Sequence, residues 1–226
     1  MKFENTRVYG IDTAIRSMRM PLQSFDKADS EWVYDDIIPP ITTDEYEKNY
    51  QIGEKDMDLT HRLLSTGTDS DSKFLRSISV YTELTAPTYF LAELDTYKIG
   101  TVRNSSSLQH KGASRDFTIQ DFTTDPMYPQ DVNVMQETWA KLIESINLLR
   151  RMYKETNDYH YFRLMRQLIP MSFNYTISWT ANYQVLRTIY FQRRNHRLKE
   201  WTDVFIPWIE SLPYAKDLIT YEGGNK

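Results

Sequence analysis

The chain has no cysteine. That excludes disulfides, thiolate metal sites and a cysteine nucleophile, and it fits a reducing compartment. Glycine is scarce, at seven residues, and no glycine-rich loop of the phosphate-cradling kind occurs. The four histidines, His61, His110, His160 and His196, show no metal-ligand spacing. No Ser-His-Asp set can be singled out. No apolar run approaches the roughly eighteen residues of a membrane span, and the N-terminus lacks the apolar region of a signal peptide. The expectation is a soluble, cytoplasmic protein with no membrane partner. A net charge of −4 gives no global basic field, so nucleic acid is not an expected partner either.

What is present is apolar and aromatic material. Hydrophobic residues make up 40% of 226, enough to bury a real core in one domain. The strongest periodic segment, from about Val132 to Lys154, places Val132, Met135, Trp139, Leu142, Ile143, Ile146, Leu149 and Tyr153 on one helical stripe, and reads as the core of the fold. Other helices are expected at Ile11–Met20, near Thr43, at Lys55–Ser65 with Gly67 as C-cap, at Tyr159–Leu168 with Asp158 as N-cap, and at Glu200–Leu212 with Pro207 interrupting or kinking it. Val8-Tyr9-Gly10 reads as a short strand. Ser79 to Thr85 alternates as a strand, whereas Thr88 to Asp95 suits a strand or a helix. Residues 103–112 form a polar stretch whose plain reading is a solvated linker.

The stretch from Arg166 to Arg193 organises the rest. It reads as a helix end, a connection marked by Pro170 and a second helix carrying Asn182, Leu186, Ile189 and Arg193 on one stripe. Asn182 and Arg193 differ by about 20° around such a helix and by about 16 Å along it. A buried amide or guanidinium needs a partner. For Arg193 a planar anionic ligand would serve, and so would a carboxylate of the chain itself.

These residues also carry a resemblance. Arg166, Pro170, Trp179-Thr180-Ala181-Asn182 and Arg193 resemble, without a gap, the C-terminal signature of the flavin-dependent thymidylate synthases. Upstream, Ala86-Pro87-Thr88-Tyr89-Phe90-Leu91 leads into Thr96-Tyr97-Lys98, where that family has Arg-His-Arg. The resemblance covers roughly residues 58–205. With the helix pattern, it implies an α+β, helix-rich single domain over 1–226 with a small antiparallel sheet, in which 1–30 and 220–226 are peripheral. It favours a helix after Pro87.

The resemblance also implies an activity: methylation of dUMP or a related pyrimidine deoxynucleotide with FAD and a folate carbon donor, in a homotetramer. Arg193 would be the catalytic residue that contacts the pyrimidine. Arg166, Ser106 or Ser107, and Gln109 would bind the nucleotide, with Asn182, Tyr97, Lys98 and Thr101 on the flavin. Glu93 stands where the family has Gln. A carboxylate prefers a donor such as the exocyclic amine of cytosine, although pairing with a cation such as Lys98 explains it as well.

The departures fall mostly on the cofactor side. Tyr97 cannot carry the positive charge of a histidine, Lys98 lacks the guanidinium fork, and the family's Arg beside the signature Ser reads as Leu108 or Gln109. Two other readings therefore stand beside the enzyme: a nucleotide-binding or regulatory protein of the same fold without catalysis, and a structural or interaction protein.

Overall fold

A computed structural model describes residues 1–33, 49–108, 112–126 and 128–223. The helix expected near Thr43 and the site residue Gln109 lie outside these. In chain order the elements are β1 (Lys2–Tyr9), α1 (Ile11–Ser17), β2 (Glu31–Trp32), β3 (Tyr50–Gln51), α2 (Glu54–Ser65), β4 (Ser79–Pro87), α3 (Thr88–Leu94) and β5 (Val102–Ser105). Then come α4 (Val132–Thr156), α5 (Tyr159–Leu168), β6 (Asn174–Asn182), α6 (Tyr183–Arg193), α7 (Ile206–Glu210) and α8 (Ala215–Leu218). The architecture is α+β and helix-rich with a small antiparallel sheet, as expected. The main sheet has strand order β1-β4-β6-β5, and β2 pairs with β3 in a two-stranded ribbon.

The described residues fall into two compact units. The first comprises Met1–Lys2, Leu84–Thr96 and Asn104–Ile177. Its core gathers Ile146 of α4, Phe162 and Met165 of α5, and Ala113, Phe117 and Phe122. Asp158 caps α5 by accepting from the His160 amide at 2.9 Å, as its position predicts. In α3, the otherwise orphaned first amides are satisfied from outside the helix: Thr88 N donates to Phe173 O and Tyr89 N to Met171 O.

The stripe read for α4 does face this core, with Ile146 in it and Trp139, Leu142, Ile143, Leu149 and Tyr153 packed against it, but the helix is partly rather than wholly buried. Only Ile146 and Asn147 of its 25 residues are buried, and at the start of the stripe Met135 stays 38% exposed. A helix this long outruns the ten-residue α5 packed along it, so its apolar stripe is only partly covered. Asn147, off the predicted stripe, is buried because its amide pairs with the Phe117 backbone, accepting from N at 2.8 Å and donating to O at 2.9 Å.

The second unit comprises Phe3–Glu83, Tyr97–Arg103 and Ser178–Lys226. Ile11, Ala14, Ile15 and Met18 are buried on or just beyond α1, the face read from their spacing. In α2 the buried residues are Asp56, Thr60 and Leu64, two of them polar. The reason is a polar lock. Arg19, 4% exposed, donates from Nε to Asp56 at 2.6 Å. The other Asp56 oxygen accepts from the Asp29 and Ser30 amides and the Ser30 hydroxyl. A buried carboxylate with four such donors is stable where a lone one would not be.

An aromatic group packs the far end of the same unit. Phe3 stacks on Trp208 at 4.1 Å, and Phe205 contacts Trp201, Trp179 and Trp208. Pro207 sits in the first turn of α7, directly after a π-helical run, Glu200–Phe205. A proline offers no N–H, and in the first turn of a helix that donor has no partner within the helix to lose.

Two further expectations change. The stretch before Asn182 is strand β6, with Ile177, Trp179 and Ala181 buried at alternate positions. The linker at 103–112 begins as β5.

Candidate functional site

The ends of α6 define the candidate site in the second unit. Asn182 is the N-cap of α6, in extended conformation, and its Oδ1 accepts from the Val185 amide at 3.0 Å. It therefore stands before the helix rather than on its stripe, and capping explains half of its amide. Nδ2 remains a donor. Gly100 makes room for it: φ is +79°, and a Cβ there would lie 2.7 Å from Asn182 Nδ2. Only glycine tolerates both that backbone and that approach. The turn that presents Gly100 is closed by Thr101, whose hydroxyl donates to the Tyr97 carbonyl at 2.7 Å.

At the other end of α6, Arg193 is partly buried. Its Nε donates to the Tyr97 phenolic oxygen at 2.9 Å, and the same phenol donates to Gln192 Oε1 at 3.0 Å. The guanidinium lies 5.1 Å from the Trp201 ring centroid and 5.7 Å from that of Tyr97, both within cation–π range. Its NH1 meets His196 Nε2 at 2.9 Å. A guanidinium only donates, so Nε2 must accept. The Leu198 amide approaches Nδ1 of the same ring at 3.1 Å, so the two donors compete for the one lone pair a neutral imidazole offers.

This arrangement holds a fixed cation beside two aromatic faces, with an amide donor at the opposite helix end. It can hold planar ligands carrying carbonyl edges or negative charge. Lys98, exposed on the turn between Tyr97 and Gly100, adds a mobile cation. Tyr97, Lys98, Thr101, Asn182 and Arg193 thus all belong to one unit. Trp201, Gln192 and His196 were not singled out in the sequence for this site. Trp201 gave no signal there beyond a place in an apolar helical run.

The remaining predicted residues belong to the first unit. Ser106 and Ser107 line a cavity of about 200 Å³, together with Ser114, Arg115, Phe117, Phe173, Asn174, Tyr175 and Thr176 among others. Arg166, in the last turn of α5, is exposed, and Glu93 is half-buried on α3. Neither lines that cavity. Asn174, Tyr175 and Ser114 had no motif to mark them. Among the described residues no group of acidic or histidine side chains is arranged to hold a metal ion, and no helix is long and apolar enough to cross a membrane.

No protein-family model and no curated protein matches the sequence at a significant level. Solved structures do. The crystal structure of the flavin-dependent thymidylate synthase ThyX from Helicobacter pylori, complexed with FAD and dUMP, is similar at a TM-score of 0.67 and 18% identity, with 98% of each chain covered. A second Helicobacter pylori thymidylate synthase X structure with FAD and dUMP gives 0.66 at the same identity and coverage. Similarity over nearly the whole of both chains at so low an identity establishes a shared fold: the chain is folded like a flavin-dependent thymidylate synthase.

Proposed function

We propose that the chain binds a pyrimidine deoxynucleotide together with FAD, and that it methylates dUMP or a related nucleotide using a folate carbon donor. The observation that carries this reading is the fixed Arg193 guanidinium beside Tyr97 and Trp201, on the helix that Asn182 caps. Of the signature-like residues, Asn182 and Arg193 occupy the two ends of this one element. The fold's likeness to proteins complexed with FAD and dUMP supports it.

In this reading Arg193 contacts the pyrimidine and draws charge from it. Arg166 and one of Ser106 or Ser107 hold the nucleotide. Asn182 Nδ2 donates to a flavin carbonyl, the Tyr97 ring faces the flavin with Thr101 fixing its turn, and Lys98 serves a phosphate. The donor set fits such a ring system: one amide, one guanidinium and the half-buried Tyr97 ring, with the buried Trp201 backing the guanidinium. Bound flavin supplies the hydride chemistry, and the protein supplies position and charge. Glu93 would favour a cytosine over a uracil nucleotide if it reaches the base. Assembly as a homotetramer belongs to the same proposal, and the exposed apolar stretch of α4 at Val134 and Met135 is available to such contacts.

A second reading rests on the replacement of Arg-His-Arg by Thr96-Tyr97-Lys98. It keeps the nucleotide and drops catalysis. Incubating the protein with dUMP, FAD, a reductant and methylene-tetrahydrofolate, with mass spectrometry of the nucleotide, separates the two. A methylated nucleotide is expected. Unchanged nucleotide, with binding intact, would leave the second reading.

A further inference from the structure

The end of the chain lies along α6, and its contacts there converge on Arg187. The Arg187 NH1 donates to the Ile219 carbonyl at 2.8 Å and to the Tyr221 carbonyl at 2.7 Å. Its guanidinium lies 4.8 Å from the Phe191 ring centroid. Both acceptors are backbone dipoles, and among the described residues no carboxylate bonds this cation. Burial accordingly pulls its pKa below the usual arginine value. A half-buried guanidinium so placed is satisfied only while the chain end is docked, because without those carbonyls it would be desolvated and unpaired.

The same tail reaches the last turn of the helix. Arg194, the C-cap of α6, follows Arg187 by seven residues, about 20° around the helix and about 10 Å along it. It pairs with Glu222 and lies 5.1 Å from the Phe191 ring centroid. Three residue steps separate Ile219 from Glu222, and a chain of that length reaches at most about 10 Å. The two spans match: a tail running alongside the last two turns of α6 meets both arginines. On its other side the tail is tied to α2. The Tyr221 ring stacks on His61 at 3.9 Å, and Asp217 of α8 meets His61 Nε2 at 3.1 Å. Arg193 lies about 120° around α6 from Arg187. The tail therefore grips a different flank from the one that meets Tyr97.

We propose that residues 219–222 form a clasp that holds the last turns of α6, and that Arg187 is the positioning residue through which the clasp fixes Arg193. Opening the clasp frees Arg193 from Tyr97 and weakens ligand binding. The ligand in that statement rests on the functional reading above, whereas the hold on α6 rests on these contacts alone.

The test joins hydrogen–deuterium exchange of the full chain with calorimetric titration of dUMP in the presence of FAD. Arg187→Met keeps an unbranched apolar stem and removes the donors. It should speed exchange over residues 190–194 at least about tenfold while β6 keeps its protection. It should weaken dUMP binding about threefold to tenfold. Arg187→Lys retains a donor for the two carbonyls and should recover most of both. Ile15→Val, a core truncation in α1, controls for lost stability alone and should move neither. Should Arg187→Met not fold, Glu222→Arg opens only the outer end and should speed the same exchange about threefold. Unchanged α6 exchange, or unchanged dUMP affinity in a parent that binds it, would overturn the inference. So would an equal loss of binding in Ile15→Val. A parent that binds no dUMP would overturn the functional reading, while faster α6 exchange in Arg187→Met would still support the clasp.

Discussion

Arg193 Nε donates to the hydroxyl of Tyr97 at 2.9 Å. Two segments that resemble separate parts of the thymidylate synthase signature, 96 residues apart, meet in that bond. Where the resemblance aligns a histidine, this chain has a phenol that accepts from the arginine, so Tyr97 fixes the guanidinium.

Tyr97→Phe tests that coupling. It keeps the ring and removes the acceptor, so the expected loss of stability is small, about 1 kcal/mol. The expected loss of ligand binding is larger in proportion, because Arg193 is no longer held. Tyr97→His, which also presents an acceptor, should recover most of it. Titration with dUMP and FAD checks both.

Asn182 caps α6, and one substitution pair separates that duty from the proposed flavin contact. Asn182→Ala removes the cap and should destabilise the chain by about 1 kcal/mol. Asn182→Asp keeps the oxygen that accepts from Val185 and removes the Nδ2 donor. Its melting temperature should stay near that of the parent while FAD retention falls. Equal retention in the parent and Asn182→Asp would mean that Nδ2 contacts no flavin.

Gly100→Ala should be more damaging than an exposed turn position suggests. The residue would be strained at φ +79° and its Cβ would press on Asn182 Nδ2. The expected cost is about 1–2 kcal/mol, together with the binding defect of Asn182→Asp. Urea unfolding and the same flavin assay read the two effects.

The Arg19–Asp56 lock gives a pH prediction. Burial alone would raise the Asp56 pKa, but hydrogen bonds from Ser30, the Asp29 amide and Arg19 outweigh it, and the carboxyl titrates below its usual value. The folded pKa is therefore below the unfolded one. The stabilisation is full above about pH 4, the unfolded value, and is lost as pH falls through the lower folded value. Asp56→Asn leaves the Arg19 cation buried without its counter-charge and should cost about 3 kcal/mol near neutrality. It should also flatten the acid limb of the stability profile, measured by urea unfolding across that range.

Much of the fold was legible because periodicity survives in the sequence wherever one face is buried. α1 and α5, with the Asp158 cap, follow from it directly. α2 was legible as a helix, but its buried carboxylate was not, because Asp56 reads as a surface residue until Arg19, Asp29 and Ser30 are brought to it by the fold. β6 was missed since Pro170 and the resemblance drew attention to helices, although the alternation of Ile177, Trp179 and Ala181 was there to be read. At the site, motif spacing marked Asn182 and Arg193. The partners Trp201, His196 and Gln192 were not legible as such, since nothing in a one-dimensional pattern says which aromatic will face a guanidinium. The cavity serines carried a signal only through the resemblance, and Asn174 and Tyr175 carried none.

The most direct measurement is the visible absorbance of the purified protein after addition of FAD and desalting, for the parent and for Arg193→Ala. Flavin bands that survive desalting in the parent, and a thermal stabilisation by dUMP that Arg193→Ala abolishes, are the predicted result. A colourless parent whose melting temperature is unmoved by dUMP would contradict the account.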